Sequence, residues 1–428
     1  MPWTAERTTV NQRVQIGAES TSALGTNVAA GKLLECFDFT FAVMADIALY
    51  RPTGHKYENV QEENTEWAEI TVGGNLDYNG AVYPLASITG SVAPVVHGAS
   101  AVAKDWIFTP PVIGPSIVPQ TYTLEQGDVI RAHKINYGLF TDFGYKGTRK
   151  DFSCSGKMLA QAIQDGITMT SSPTAIAIAP VVAKQVNVYL DTTSAGLGTT
   201  LLTRVLSVDY AMSNTYGATW FLNRANISWT SHIDLTPKGQ FKLKVEADAN
   251  GMALLPNNLQ SGNTAYVRVN ATGSVIDNNQ TVSLGAPSAG TFTLTYKGQT
   301  TSAIAYNATA ATVQTALQAL STIGASNATV SGGAGGPYII SFVVALASDT
   351  TAMTGSGAGL TGGTFVITQT QIYNTFQHDM ALKIGKPSAF GDDAGVFAVE
   401  WDCTVVEDPA WGTGKAQTFT VTNLLTAL

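Results

Sequence analysis

Five histidines (His55, His97, His133, His232 and His378), three cysteines (Cys36, Cys154 and Cys403) and the two adjacent pairs of identical carboxylates are the side chains best suited to chemistry. A zinc site needs ligands at short, repeated spacings, and none of these histidines stands at such a spacing from Cys, Asp or Glu. They read as structural. The cysteines are odd in number, widely separated and form no CxxC, so they read as small buried residues of a protein made in a reducing cytoplasm. Glycoside hydrolysis needs two carboxylates facing each other across a cleft. Glu62 with Glu63 and Asp392 with Asp393 are instead sequence neighbours, whose side chains diverge on a strand. In FGDDAG, the aspartates suit a solvated turn better than a hard-cation site. Gly357, Gly359 and Gly362 spell GxGxxG but precede a strand, whereas a dinucleotide site places them between a strand and a helix. No nucleophile elbow, HExxH, Walker loop or EF-hand loop is present. The expectation is a protein that is not an enzyme and holds no metal or cofactor. One acidic cluster, Glu58, Glu62, Glu63, Glu66 and Glu69, is left as an exposed loop or hairpin face.

The elements that carry these residues are mostly strands. Apolar residues alternate with polar or small ones at residues 34 to 50, 186 to 190, 203 to 212, 241 to 248, 265 to 269 and 396 to 408, with Gly, Asn, Pro and Asp between. The fold class expected is mainly β, an antiparallel sandwich or barrel. A flanking helix is expected at residues 155 to 166, with Ser155 as N-cap, Met158, Leu159, Ala162 and Ile163 on one face and Gly166 at the end; a strand is the alternative.

Composition divides the chain. Only 13% of its 428 residues are charged, against about 25% in a typical globular protein, and 54 are threonine. Residues 271 to 372 carry three charges (Asp277, Lys297 and Asp349) in 102 positions, leaving 51 for the other 326. This segment has strand patterns at both ends and TAATVQTALQAL (309 to 320) between them, with Val313, Ala316, Leu317 and Leu320 on one helical face. It reads as a small α+β domain inserted into a discontinuous parent made of residues 1 to 270 and 373 to 428. The first 15 residues read as an extended arm, and Gly54 to Glu69 as a second reaching element. The net charge of −8, without a basic stripe, argues against gripping nucleic acid phosphates. The amino terminus lacks the apolar core of a secretory signal, and no apolar stretch reaches the 18 residues that span a bilayer. A soluble, unexported chain without a membrane partner is expected.

A resemblance rests on four stretches in order: TVNQRVQIGAESTSALGTNVAAGKLLECFDF, RPTGHKYENVQEENTEWAEITVGGNLDYNGAVYPLASITG, KINYGLFTDFGYKGTRKDFSCSGKMLAQAIQDGITMT and FGDDAGVFAVEWDCTVVEDPAWGTGKAQTFTVTNLLTAL. Together they resemble the major tail tube proteins of long, non-contractile-tailed bacteriophages. The segment from GTFTLTYKGQ to GGPYIISF resembles a small module that recurs in tail and other virion proteins of such phages. The resemblance implies hexameric rings of this chain, stacked into a tube in the virion after assembly in the host bacterial cytoplasm. Its implied partners are further copies of the chain, the tape-measure protein, the tail terminator and distal tail proteins, and double-stranded DNA that passes without specific binding. The acidic cluster then becomes a candidate inter-ring or luminal loop. The insert would lie on the tube exterior, where it decorates or adheres weakly to host surface glycans. Two rival classes are another virion component, such as a capsid decoration or baseplate protein, and a β-rich depolymerase. Deleting residues 275 to 368 is expected to leave a chain that still forms tubes by electron microscopy; a folded monomer that no longer assembles would make the insert structural.

Overall fold

The computed structural model describes residues 11–98, 100, 102–112, 118–128, 130–222, 227–412 and 414–428. The main strands are β1 (Arg13–Ala18), β2 (Phe37–Tyr50), β3 (Val60–Asn75), β4 (Lys104–Phe108), β5 (Tyr122–Gly127), β6 (Ala132–Thr148), β7 (Phe152–Ala160), β8 (Gln164–Ile167) and β9 (Val186–Asp191). They continue as β10 (Val205–Ser213), β11 (Lys238–Glu246), β12 (Ala265–Ser283), β13 (Ala289–Tyr296), β14 (Ala328–Ser331), β15 (Tyr338–Phe342), β16 (Val366–Pro387), β17 (Val396–Val405) and β18 (Gln417–Asn423).

One antiparallel ladder runs β2, β3, β7, β6, β10, β11, β17, β16, β12, β9. β18 and then β4 branch from the centre of β16. The long strand β6 also joins a second group through β5 and β8, with β1 beyond β5. The mainly β, antiparallel expectation therefore holds, but the strands of the described residues make no closed barrel. Alternation is what allows these ladders to cover a core: in β10 and β11 every second residue is buried, including Leu206, Val208, Tyr210, Met212, Phe241, Leu243 and Val245.

The helix expected at 155 to 166 is not formed. Residues 152 to 160 are strand β7, whose Phe152, Cys154, Gly156, Met158 and Ala160 point inward with period 2. That pattern buries five residues against β3 and β6, a larger gain than the four-residue helical face, and it avoids a glycine inside a helix. The helix present instead is α1 (Val82–Thr89), all eight of whose residues are buried. A helix enclosed on every side has no polar face and leaves no amphipathic signal. Its ends are held by tertiary contacts. Asp77 Oδ1 accepts from the Asn79 and Gly80 amides at 2.8 and 2.9 Å. The Tyr216 hydroxyl donates toward the Ser87 and Ile88 carbonyls, each at 3.2 Å. Gly90, at φ 101°, ends the helix in a conformation that suits glycine.

Residues 282 to 353 build a second core of Val282, Phe292, Leu294, Tyr296, Val313, Leu317, Tyr338, Ile340 and Phe342. The helix α2 (Ala310–Gln318) contributes Val313 and Leu317, and the Thr309 side chain caps it by accepting from the Thr312 amide. Strands β12 and β16 carry the chain into and out of this segment as one ladder, from Ala265 facing Leu382 to Ser283 facing Val366. The composition shift at 271 and 372 thus falls inside both strands. Of the expected arm, residues 1 to 10 lie outside the described residues, and Arg13, Val14 and Gln15 belong to β1, paired with β5.

At the centre of β16, His378 is fully buried. Its Nδ1 accepts from the Tyr145 hydroxyl at 2.9 Å, and its Nε2 donates to Gln417 Oε1 at 3.1 Å. Burial favours the neutral ring and lowers its pKa to about 3. Because the folded value lies below the unfolded value of about 6.5, this contribution to stability is complete above pH 6.5 and is lost as pH falls toward 3. Between pH 7 and pH 4.5, urea unfolding is expected to show the wild type losing about 3 kcal/mol more stability than His378→Gln; equal losses would place the titration elsewhere.

Candidate assembly surface

Among the described residues β2 has a single ladder partner, β3; the Phe39 carbonyl accepts from Gln126 Nε2 at 3.2 Å, and the outer edge beyond it is open. β3 continues into the ladder through Ala68–Asn75, which pair with β7, and makes one further bridge at Glu66, whose amide donates to the Ile227 carbonyl at 3.2 Å. The distal ribbon, residues 43 to 50 against 60 to 67, therefore extends beyond the sheet. The other end of the ladder is closed: the Leu190 amide donates to the Thr200 carbonyl at 2.9 Å and the Leu202 amide to the Val188 carbonyl at 2.8 Å, which covers β9.

Pairing sorts the ribbon's side chains onto two faces. Val43, Ala45, Ile47 and Leu49 share one face, and Met44, Asp46, Ala48 and Tyr50 the other. Val43, Ile47, Leu49, Tyr50, Tyr57 and Val60 are all exposed, Tyr57 in the connecting turn at 82%. The register shift beside Asn64 changes which glutamates are neighbours. Glu66 faces Ala45 and Glu63 faces Ile47, so both join the first face, while Glu62 faces Ala48 and Glu69 faces Ala42 on the second. Four of the five singled-out acids thus lie on β3 and only Glu58 lies in the turn. They do not form one loop. Partial burial, followed by the charge of Glu63, pushes the Glu66 carboxyl pKa upward. The Trp67 Nε1 donates to Glu69 Oε1 at 3.1 Å, and its ring packs edge-on against Trp220 at 5.7 Å.

The sequence reading found the acids and missed the apolar row. Its signal was present in FAVMADIALY, which carries one charge in ten residues and has no polar face; a strand with one face on its own core and one in water alternates more strongly. A second exposed apolar feature is Phe390 stacked on Phe397, ring centres 5.5 Å apart.

The side chains considered for chemistry are dispersed. Among the described residues no group of three or more His, Cys, Asp or Glu is placed to hold a metal. His55 lies in the ribbon's turn. His97 Nδ1 meets Asp105 at 2.8 Å, His133 meets Gln126 at 3.2 Å and His232 meets the Tyr137 hydroxyl at 3.1 Å. Burial raises the Cys36 thiol well above its usual range and Cys154 and Cys403 to about 12 each, so all three are unreactive thiols. Asp393 is paired with Arg149 at 2.5 Å and Lys244 at 2.6 Å, and Asp392 accepts from the Gly395 amide at 3.0 Å in the turn before β17. Gly357, Gly359 and Gly362 sit among short strand segments, with no helix following them.

No protein family matches the chain. A 98-residue stretch is 39% identical to the tail sheath protein of Mycobacterium phage Bxz1, covering 23% of this chain and 16% of that protein's length. Among solved structures, a chain from Mycobacterium phage Patience aligns with 55% of this chain and 82% of its own length, at 16% identity and a TM-score of 0.20. No helix among the described residues is long and apolar enough to cross a membrane.

The ribbon's exposure separates its folding role from any contact role. Ile47→Glu with Leu49→Glu is expected to change monomer stability by less than about 1 kcal/mol in thermal unfolding, while abolishing concentration-dependent self-association in sedimentation velocity. Unchanged association would clear the ribbon of that role.

Proposed function

We propose that this chain is a structural subunit of a bacteriophage tail that polymerises with itself, and more specifically that it forms stacked rings, six copies each, of a tail tube. The observation that carries the reading is the ribbon of β2 and β3: a 14-residue strand with an open edge and apolar side chains on both faces. Such an edge is an aggregation hazard in a monomer, and a second copy of the same sheet covers it with backbone hydrogen bonds and apolar burial. A ring requires that this edge meet a different surface of the next copy, a heterologous contact that closes when the rotation per copy divides a full turn. The partial likeness to a phage tail protein supports a tail structural role and virion location.

In this reading the tube encloses a tape-measure protein, is bounded by tail terminator and distal tail proteins, and conducts DNA. The proposed parent domain is acidic, which suits conduction: DNA carries one charge per roughly 1.7 Å of axis, and a basic wall would hold it by counterion release. The glutamates at 58, 62, 63, 66 and 69 are proposed to face the lumen or the next ring. The segment between β12 and β16 is placed outside, since a domain of that size at each luminal position would block passage. No catalysis is part of this role.

A second tail role, as a sheath component, is favoured by the name of the matched relative. Electron microscopy of concentrated purified protein separates the two. Hollow filaments of uniform narrow width are expected for a tube, whereas protein that stays dispersed until a preformed tube is added would overturn the tube reading in favour of a sheath.

A further inference from the structure

The segment from residue 271 to 372 has an electrically silent surface. Of its three charged residues, Lys297 and Asp349 form an ion pair with each other, and Asp277 is fully buried, accepting from the Ser100 hydroxyl at 2.5 Å. Whatever this surface meets cannot be selected by charge. Within it lies an open cleft of about 540 Å³, lined among others by Pro287, Tyr306, Asn307, Gly335, Gly336 and Pro337. None of its lining residues is ionisable at neutral pH.

The cleft combines three features. The Tyr306 ring is half-buried and stands outside the segment's apolar core, which leaves it free to serve as a flat wall. Both residues line the cleft, and among the described residues neither the Tyr306 hydroxyl nor the exposed Asn307 carboxamide has a hydrogen-bond partner within the protein. The walls are also fixed. The buried Tyr338 hydroxyl donates to the Ala308 carbonyl at 2.6 Å and accepts from the Gly335 amide at 3.1 Å, and the Tyr306 amide donates to the Gly290 carbonyl at 3.0 Å. A rigid site binds without first paying to order itself.

A flat aromatic wall beside an uncharged amide matches a ligand with an apolar C–H face and neutral hydroxyls at its edge. We propose that this cleft binds a neutral saccharide, with Tyr306 stacking on the sugar ring and Asn307 bonding its hydroxyls. The proposal rests on the placement of this segment outside the assembled tube.

The test uses the full-length protein and methyl glycosides of glucose, mannose and galactose in saturation-transfer NMR, with glucuronate as the anionic control. Transfer to the C–H protons of at least one neutral glycoside is expected, unchanged between low and high salt. Tyr306→Ala should lower the affinity about tenfold and Tyr306→Phe should retain most of it. Absence of transfer to all three neutral sugars, an affinity left unchanged by Tyr306→Ala, or a preference for glucuronate would each overturn the proposal. Micrographs of the same samples keep the two readings apart: tubes that bind no sugar sink the cleft alone, and sugar binding without tubes sinks the tube alone.

Discussion

An apolar strand edge in water is the constraint from which the architecture follows. The ribbon of β2 and β3 exposes apolar side chains on both faces and offers unpaired backbone groups along one side. Each unpaired group is worth only about 0.5 to 1.5 kcal/mol when it finds a partner. A row of them with several apolar side chains adds to a substantial driving force for covering the edge. The remainder of the chain holds the ribbon in place. Its base continues through β7 into the long ladder, and that ladder is filled by one large apolar cluster around the wholly buried α1.

The polar interior works toward the same rigidity. Tyr145, His378, Gln417 and Tyr210 form a buried chain of hydrogen bonds that links β6, β16, β18 and β10. Every member has a partner within the chain, which fixes strand register where four strands converge. The Asn278, Gln280 and Gln369 side chains bind the backbone of residues 349 to 353, and so hold the second core against the extended ladder of β12 and β16. Little energy is spent on surface ion pairs, in keeping with the low charge of the chain.

The sequence made most strands legible because period 2 survives wherever one face is buried. It failed where that premise failed. Residues 82 to 89 are enclosed on all sides and show no period, so α1 was invisible. Residues 155 to 163 satisfy both periods, and only the neighbours β3 and β6 decide for the strand. The acids at 58 to 69 were visible as residues, but their division between two faces depends on a register shift beside Asn64 that no composition reveals. The charge-depleted stretch contains the second core, and its edges at 271 and 372 fall within strands shared with the rest of the ladder.

Amide hydrogen exchange at residues 43 to 50, compared between dilute and concentrated protein, tests the central claim most directly. Outward-facing amides of β2 are expected to exchange rapidly in the dilute monomer and to become strongly protected on assembly, while those of β10 and β11 remain protected in both. Equal, rapid exchange of β2 in the assembled protein would contradict the account, because the open edge would then have found no partner.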